Sequence, residues 1–334
     1  MPAVSVLIPA RNAAATLDEA LASIAAQSFE DWEAIVVDDG STDDTPKLLE
    51  TWEQRDPRFR VLRNPRQLGL VESLNRAAEA ASAPVLARMD ADDVSLPRRL
   101  ELQLARLEVG DVDAVGCQVR YFPDEVVAGG ARRYEAWLNS LTTPADHDRD
   151  IFVECPLAHP TLMLRADVFR RVGGYQNRGW GEDYDLLLRF WERGHRMAKV
   201  PEVLLHWREG PARTSRTHPD YTLDALIRCR AHYLRRTHLR DRPALIFGTG
   251  PVGKAVARAL LSEGATLAGW VDLDPRKIGQ VIYGARVLDQ PAGLRLCGTA
   301  FGVAALGQPG ARELLRGTLR DAGWKECVDF RCAA

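Results

Sequence analysis

The sequence lacks several features that mark whole classes of protein. No run of about 18 apolar residues occurs, so it offers no transmembrane helix. Its six cysteines are scattered without a Cys-x-x-Cys pair, which indicates neither a zinc site nor a disulfide framework and favours reduced thiols. An excess of basic residues is missing too. The 44 Lys+Arg against 46 Asp+Glu leave a net charge of −2, which argues against a general nucleic-acid binder.

The N-terminal residues do not resemble a secretory leader. Residues 1–3 lead directly into the apolar run Val4–Ile8, and the first basic residue is Arg11. This arrangement matches a signal peptide poorly and a first strand well. Together with the reduced thiols, it predicts a cytoplasmic protein. The 334 residues, 46% hydrophobic and 27% charged, have the composition of an ordinary globular chain with about two domains.

The first half of the sequence alternates apolar runs with helical patterns. Runs at 4–10, 34–37, 60–62 and 84–87 are short enough for strands, and helical patterns separate them. This alternation predicts an α/β fold with a mainly parallel central sheet. Polar clusters follow the first, second and fourth strands, at the carboxyl ends where such sheets bind ligands.

Two local patterns in this half carry more detailed expectations. Thr16 stands three residues before Glu19, and this spacing predicts a capping box at the start of the first helix. Residues 123–150 are expected to be rich in loops, with helical patterning over 132–141 only.

The cluster Asp90-Ala91-Asp92-Asp93 sets three carboxylates at the end of a strand. Carboxylates this close repel one another unless a cation neutralises them, and their hard oxygen atoms suit Mg²⁺ or Mn²⁺. Acidic loops are also common without a metal, and Asp93 is as well suited to brace the loop as to bind an ion. Asp38 and Asp39 end the neighbouring strand, where they could accept hydrogen bonds from a nucleobase or a ribose.

Seven short stretches carry a more specific signal than the acidic cluster alone. They lie at Val6–Asn12, Val36–Asp43, Asn64 with Gly69–Leu70, Arg88–Asp93, His159–Thr161, Gly173–Tyr175 and Glu182–Asp185. In this order they resemble family 2 glycosyltransferases of the GT-A fold. The resemblance covers residues 1–215 and implies transfer of a sugar from a nucleotide-sugar donor with inversion of configuration.

The resemblance also implies a role for each matching residue. The residues expected to bind the donor nucleotide are Pro9, Ala10, Arg11, Asn12, Asp38, Asp39, Gly69, Arg88 and Asp90. Within this set, Asp38 would hold the base and Asp39 the ribose region. Asp90 and Asp92 form the Asp-x-Asp motif of the family, with Asp92 as the direct metal ligand. Asp183 matches the catalytic base and Glu182 its neighbour.

Four further residues are expected near the acceptor or in support of the site: His159, Trp180, Arg208 and Arg213. For His159 and Trp180 a packing role is an equal alternative. The strand Glu202–Leu205 continues as His206-Trp207-Arg208-Glu209-Gly210, where family members often have Tyr-Arg-x-His. Because Gly210 stands at the position of that His, either Arg213 supplies positive charge or the metal has one protein ligand fewer.

A second pattern begins near residue 241. Gly248-x-Gly250-x-x-Gly253 follows a predicted strand and opens a predicted helix, and Asp272 ends the next strand. This is the context of a dinucleotide fingerprint. The stretch Gly269–Pro275 resembles small Rossmann-like domains fused to sugar-modifying enzymes. Three roles stay open for it: binding of a nucleotide or nucleotide-sugar, a structural role, and NAD(P)-dependent catalysis.

These patterns predict a GT-A domain over 1–215, a basic connecting helix over 216–240 and a Rossmann-like domain over 241–334. Eight arginines lie in residues 213–242. The connecting helix therefore has either a solvated basic face, which we favour, or a face for an anionic membrane surface. The oligomeric state is left open.

The expected function is that of a metal-dependent, inverting glycosyltransferase in the synthesis of a surface polysaccharide or glycoconjugate. It would use Mn²⁺ or Mg²⁺, a UDP-sugar donor, and a saccharide or lipid-linked saccharide acceptor met at the inner face of a membrane. No nucleic-acid partner is expected. Two alternatives remain, a bifunctional sugar-modifying enzyme that uses NAD(P) and a non-catalytic nucleotide-sugar sensor. Turnover of a donor would exclude the sensor.

Overall fold

The computed structural model describes residues 1–211, 213–308 and 310–334 of the chain. The chain forms two compact units. The first comprises residues 1–147, 156–178 and 185–213, and the second comprises residues 148–155, 179–184 and 214–334. This division groups two short earlier segments, 148–155 and 179–184, with the C-terminal part. The domain limits expected at residues 215 and 241 stay a prediction.

Strands and helices mostly alternate through the described residues, with a few consecutive strands or helices. Up to residue 208 they are β1 (Val4–Ala10), α1 (Leu17–Ala25), β2 (Trp32–Asp38), α2 (Thr45–Arg55), β3 (Phe59–Arg63), α3 (Leu70–Ala80), β4 (Val85–Arg88), β5 (Val94–Ser95), α4 (Arg99–Glu108), β6 (Ala114–Phe122), α5 (Gly129–Ser140), α6 (Pro144–Asp150), β7 (Met163–Arg165), α7 (Ala166–Val172), α8 (Glu182–Glu192) and β8 (Met197–Arg208). Beyond it they are α9 (Thr214–Thr217), α10 (Leu223–Thr237), β9 (Ala244–Phe247), α11 (Pro251–Ser262), β10 (Leu267–Val271), β11 (Val281–Ile282), β12 (Ala285–Leu288), α12 (Gln290–Leu294), β13 (Phe301–Ala304), α13 (Ala311–Asp321) and β14 (Phe330–Cys332).

The first unit contains an eight-stranded sheet in the order β3-β2-β1-β4-β7-β6-β8-β5. Strands β3, β2, β1 and β4 are parallel neighbours, whereas β7 runs antiparallel to β4 and β6. The register sets Ala10 beside Asp38 and Asp38 beside Arg63, so the segments that follow these strands leave from one edge. The expected α/β architecture is confirmed.

Burial on both faces explains the sequence of the parallel strands. All seven residues of β2 are buried, without the alternation of a half-exposed strand. Helix α1 covers one face through Leu17, Leu21 and Ile24, which recur at helical spacing and are fully buried. Each such side chain contributes about 1.5–3 kcal/mol relative to exposure.

The second unit contains a six-stranded sheet in the order β11-β12-β10-β9-β13-β14. Strands β12, β10, β9, β13 and β14 are parallel, and the short edge strand β11 is antiparallel. The arginine-rich helix α10 packs against α11 within this unit. Among the described helices, none has the length and hydropathy needed to cross a bilayer.

The capping box expected at Thr16 is wrong, and so are the loops expected over 123–150, although α5 confirms the helical pattern over 132–141. Thr16 makes no capping hydrogen bond with its side chain. Its hydroxyl donates instead to the carbonyl oxygens of Ala91 at 3.0 Å and Ala13 at 3.4 Å, so a tertiary bond to the acidic loop replaces the local cap. Residues 123–150 are mostly helical, because α5 packs against β6 and α6 follows it directly.

The turn after β2 anchors the loop that follows β3. The carboxylate of Asp39 accepts hydrogen bonds from Asn64 Nδ2 and the backbone N–H of Leu68, both at 2.7 Å, and from the N–H of Gly69 at 2.9 Å. Burial by itself raises the pKa of Asp39, but these hydrogen bonds lower it by a larger amount. The pKa of Asp39 therefore lies below its ordinary value. Asp39 therefore stabilises the fold as a carboxylate.

We expect Asp39→Asn to destabilise the protein by about 1–3 kcal/mol at pH 7, because an amide leaves backbone N–H donors unpaired. A carboxylate whose pKa is lower in the folded than in the unfolded state stabilises the protein fully above the unfolded pKa of about 3.9. That contribution is lost as the pH falls through the folded pKa. The difference between the variant and the parent should therefore shrink on acidification. Urea unfolding at pH 7 and at about pH 3 measures it, with the exposed Asp44→Asn as control. An equal difference at both pH values would contradict the assignment.

Gly40 lies against the same loop with φ +68°, where a Cβ would stand 2.7 Å from backbone atoms of Arg66 and Gln67. We expect Gly40→Ala to cost about 1–3 kcal/mol in unfolding free energy, since both the left-handed backbone and the contact disfavour it. Gly130→Ala is the matched control, because nothing lies within 4 Å of its added Cβ. Equal midpoints of thermal unfolding for the two variants would show that the loop does not press on Gly40.

Candidate functional site

Three carboxylates meet in the loop that follows β4. Ligating oxygen atoms of Asp90, Asp92 and Asp93 lie within 4.8 Å of one another. Asp93 is 1% exposed, whereas the other two are partly exposed. The predicted pair Asp90 and Asp92 is thus brought together with a third acid, at the carboxyl edge of the sheet.

Burial and mutual repulsion make these acids reluctant to ionise together. Burial, followed by the charge of Asp90, raises the pKa of Asp92 to about 6. The same causes, with the charge of Asp92 in addition, raise the pKa of Asp93 well above its usual range. A cluster of this kind is short of positive charge, and a divalent cation with oxygen ligands would supply it.

Arg88, the last residue of β4, balances part of this charge. Its guanidinium forms an ion pair with Asp90 and is 4% exposed. Although burial lowers the pKa of Arg88, the charge and hydrogen bond of Asp90 raise it above its ordinary value. In this structure Arg88 positions Asp90, and its direct contact with a nucleotide stays a prediction.

Arg208, the last residue of β8, braces the acidic loop from the other side. Its backbone N–H donates to Asp93 Oδ1 at 2.7 Å, and its Nε donates to the carbonyl oxygen of Asp92 at 2.6 Å. Its Nη2 forms an ion pair with Glu19 on α1. Asp93 therefore braces the loop with one oxygen, and sequence patterns gave no signal for the partner Glu19.

Arg213 brings a further positive charge to the cluster. Its Nη1 lies 3.1 Å from Glu209 Oε2, and its guanidinium stacks 4.4 Å from the centre of the Trp207 ring. The charge of Arg213 opposes the rise in the pKa of Asp92. Both alternatives stated for Gly210, compensation by Arg213 and one protein ligand fewer at the metal, stay predictions.

The segments after β1 and β2 are tied together by hydrogen bonds. Asn12, at φ +48°, donates its N–H to Ser41 Oγ at 2.9 Å and accepts the N–H of Thr42 at 2.8 Å. Asp38 Oδ1 accepts the N–H of Ser41 at 3.0 Å. Asn12 and Asp38 therefore order the edge at which they were expected to bind a nucleotide.

The remaining predicted donor residues lie along the same edge. Pro9 and Ala10 are the last two residues of β1, and Arg11 after them is exposed. Gly69 precedes α3 at φ +98°, with open space where a Cβ would stand. Asp39 is engaged by the loop after β3, so its expected ribose contact stays a prediction.

His159 begins the short 3₁₀ turn His159–Thr161 in the first unit. Its Nε2 lies 2.8 Å from the Tyr175 hydroxyl, and the residue is 8% exposed. This hydrogen bond ties the turn to Tyr175, which is the kind of contact that a supporting residue makes.

The predicted catalytic pair belongs to the second unit. Glu182 accepts a hydrogen bond from the Tyr221 hydroxyl. Asp183 Oδ1 accepts the N–H of Tyr184 at 2.7 Å, and Cys155 Sγ lies 4.0 Å from its other oxygen. Both acids stand at the start of α8, where the helix dipole favours negative charge.

Trp180 lies in the same short segment of the second unit. It is 9% exposed and packs against His232 with a ring separation of 5.6 Å. This is the core packing that the sequence left open beside stacking on a sugar.

The glycine-rich loop of the second unit connects β9 to α11. Gly248 has φ +105°, and a Cβ on Gly253 would stand 2.0 Å from the Gly248 carbonyl oxygen, so the tight turn itself requires both. Gly250 has open space at its Cβ position. Asp272 accepts from the Thr249 N–H at 3.2 Å and from Lys277 Nζ at 3.0 Å. Although burial raises the pKa of Asp272, hydrogen bonds lower it to about 2. A ligand at this loop stays a prediction.

The family model for glycosyl transferase family 2 matches residues 5–173, half of the chain. EpsE of Bacillus subtilis, named as a glycosyltransferase, is 35% identical over 231 residues, which cover 68% of this chain and 80% of EpsE. The family match ends before Glu182 and Asp183, so it carries no information on either.

Two solved structures share the fold. Staphylococcus aureus TarS 1–349 in complex with UDP-GlcNAc has a TM-score of 0.59 at 18% identity, over 79% of this chain and 72% of that one. The mannosyltransferase PcManGT from Pyrobaculum calidifontis, in complex with GDP-Man and Mn²⁺, has a TM-score of 0.53 at 20% identity, over 97% and 81%. The expected GT-A fold is confirmed. With the sequence match, these findings show that the chain belongs to glycosyltransferase family 2.

Proposed function

We propose that this glycosyltransferase moves a sugar from a nucleotide-sugar donor to a saccharide acceptor in one displacement, with inversion at the anomeric carbon. The observation that carries the proposal is the cluster of Asp90, Asp92 and Asp93 at the carboxyl edge of a parallel sheet. In sheets of this kind ligands bind at that edge. A donor diphosphate is anionic, so it needs a cation to lie beside three carboxylates.

The residues present fit a divalent metal. Three carboxylates offer oxygen atoms within 4.8 Å of one another, and burial, followed by the charge of neighbouring carboxylates, raises the pKa of two of them. We propose that Asp92 and Asp90 hold Mn²⁺ or Mg²⁺, with Arg208 and Arg213 fixing the loop and its charge. A bound divalent ion would neutralise charge that develops on the departing diphosphate. The complex of PcManGT with GDP-Man and Mn²⁺ supports this choice of metal.

The donor nucleotide is proposed to lie along the loops after β1 and β2. Pro9, Ala10 and Arg11 would line its position, while Asn12 and Asp38 keep the two loops together. The family resemblance favours a UDP-sugar, as does UDP-GlcNAc in the TarS structure, while GDP-Man in the PcManGT structure supports the alternative base. The base is therefore a matter for direct measurement.

Asp183 is proposed as the base. An acceptor hydroxyl oxygen would form the new bond to the anomeric carbon, the bond from that carbon to the diphosphate oxygen would break, and Asp183 would take the hydroxyl proton. The motif Glu182–Asp185 at the start of α8 supports this assignment. The acceptor is proposed to be a saccharide or lipid-linked saccharide of a surface glycoconjugate.

Turnover of donors by the full chain tests the function. UDP-, GDP-, CDP- and dTDP-sugars would each be incubated with Mn²⁺ or EDTA and with a saccharide mixture, and release of nucleoside diphosphate measured. We expect one base to be preferred. Asp183→Asn should abolish release while the affinity for that diphosphate stays within a few-fold, because the variant removes a base and not the donor site. The exposed Asp224→Asn on α10 is the control.

Three outcomes would count against different parts of the proposal. No turnover with any donor, together with a thermal shift on binding, would favour a nucleotide-sugar sensor. Lost diphosphate binding in Asp183→Asn would overturn the base assignment and leave the transfer itself standing. NAD-dependent absorbance changes with a sugar nucleotide would support the bifunctional alternative.

Proton competition at Asp92 gives the metal site a pH signature. A carboxylate must be deprotonated to ligate, and the pKa of Asp92 is raised to about 6. We expect affinity for Mn²⁺ with nucleoside diphosphate to fall by up to about tenfold per pH unit below pH 6. Titration calorimetry between pH 5 and pH 8 measures this. Asp92→Asn should bind weakly and with a flatter profile, whereas the exposed Asp31→Asn should follow the parent. Unchanged affinity in Asp92→Asn would show that it is not a ligand.

A further inference from the structure

Helix α4 carries two polar residues on its buried face. Arg99 and Gln103 are both 0% exposed, four residues apart and therefore on one side of the helix. Leu100, Leu104 and Leu107 complete the buried face. A guanidinium and an amide on this face make hydrogen bonds that an apolar residue would not.

Arg99 binds two separate backbone segments. Its Nη1 donates to the carbonyl oxygen of Arg88 at 3.1 Å and to that of Pro160 at 2.6 Å. One turn further along α4, Gln103 Nε2 also donates to two backbone carbonyl oxygens, those of Thr161 at 2.6 Å and Val115 at 3.1 Å. We call Arg99 and Gln103 the α4 clamp.

The position of Arg99 is costly by itself. Within the described chain no carboxylate forms an ion pair with it, and Nε and Nη2 have no hydrogen-bond partner. Burial lowers the pKa of its guanidinium to about 10. A well-packed apolar side chain of similar volume is often neutral or stabilising at such a place. Packing alone therefore does not account for Arg99.

The two segments held by Arg99 both belong to the site. Arg88 ends β4, and its side chain pairs with Asp90 at the start of the acidic loop. Pro160 lies in the turn that begins at His159. One buried guanidinium thus bridges the end of β4 and this turn, in addition to the direct bond from the Arg88 N–H to the Leu162 carbonyl oxygen at 2.7 Å.

We propose that Arg99 is a positioning residue for sugar transfer: through the carbonyl oxygens of Arg88 and Pro160 it holds the acidic loop where it can bind a metal–diphosphate. The inference rests on the proposed function. Arg99 touches neither donor nor metal and acts through the backbone that carries Arg88 and the acids after it. The proposal thus gives helix α4 a part in donor binding, although α4 lies outside the Asp-x-Asp motif.

Three variants of the full chain test the proposal: Arg99→Met, Arg99→Lys and Arg106→Met. Arg106 lies on the same helix but pairs with Asp111 at the surface, so it serves as the control. UDP and GDP would be titrated with Mn²⁺ by calorimetry, and KM and kcat for the preferred donor measured alongside urea unfolding. We expect at least tenfold weaker diphosphate binding and a raised KM in Arg99→Met. Arg99→Lys should recover part of both, because an ammonium still donates to a carbonyl oxygen.

The outcomes separate this proposal from the proposed function. If the parent protein turns over a donor and both folded Arg99 variants bind diphosphate as it does, the clamp does not position the loop and the inference is wrong. If Arg99→Met does not fold, the same binding measurement is made on Arg99→Lys and Gln103→Met. If both of these variants bind diphosphate with the affinity of the parent, the inference is wrong. If the parent itself neither binds nor turns over a nucleotide-sugar, the proposed function fails and the inference fails with it.

Discussion

The repulsion among Asp90, Asp92 and Asp93 is the constraint on which the first unit depends. Three carboxylates with oxygen atoms within 4.8 Å of one another are stable only beside positive charge. Arg88 supplies it through an ion pair, and Arg208 and Arg213 supply it from the end of β8 and beyond. Charge balance therefore ties strands that are distant in sequence to one short loop.

This balance gives each basic residue a fixed task. Arg208 contributes its backbone N–H as well as its side chain, so two hydrogen bonds join the acidic loop to the end of β8. Arg213 is held by its ion pair with Glu209 and by its contact with the Trp207 ring. Preorganised charge of this kind costs no reorganisation when an anionic group enters. These arginines do not offset the effect of burial and mutual repulsion, so the pKa values of Asp92 and Asp93 stay above their ordinary range.

Sequence patterns predicted the parts of this site that local chemistry determines. The alternation of strands and helices and the edge at which the acids lie follow from periodicity and spacing, whereas the pair Asp90 and Asp92 was singled out by the resemblance to family 2 glycosyltransferases. The bonds of Asp39 to Leu68 and Gly69 could not be predicted, because they join residues about 30 positions apart. The cap expected at Thr16 failed for the same reason, since its hydroxyl reaches Ala91 instead.

Polar residues on an otherwise apolar helix face are visible in the sequence, but a comparison of motifs does not consider them. Arg99 and Gln103 interrupt the apolar face of α4 at helical spacing, which flags a polar task inside the fold. The second unit shows the converse limit. Its glycine fingerprint is accounted for at Gly248 and Gly253 by the turn itself, and Asp272 is bonded to Thr249 and Lys277. The turn therefore accounts for two of the three glycines and gives no sign of a ligand by itself, whereas turn geometry and apolar packing do not account for a buried guanidinium such as that of Arg99.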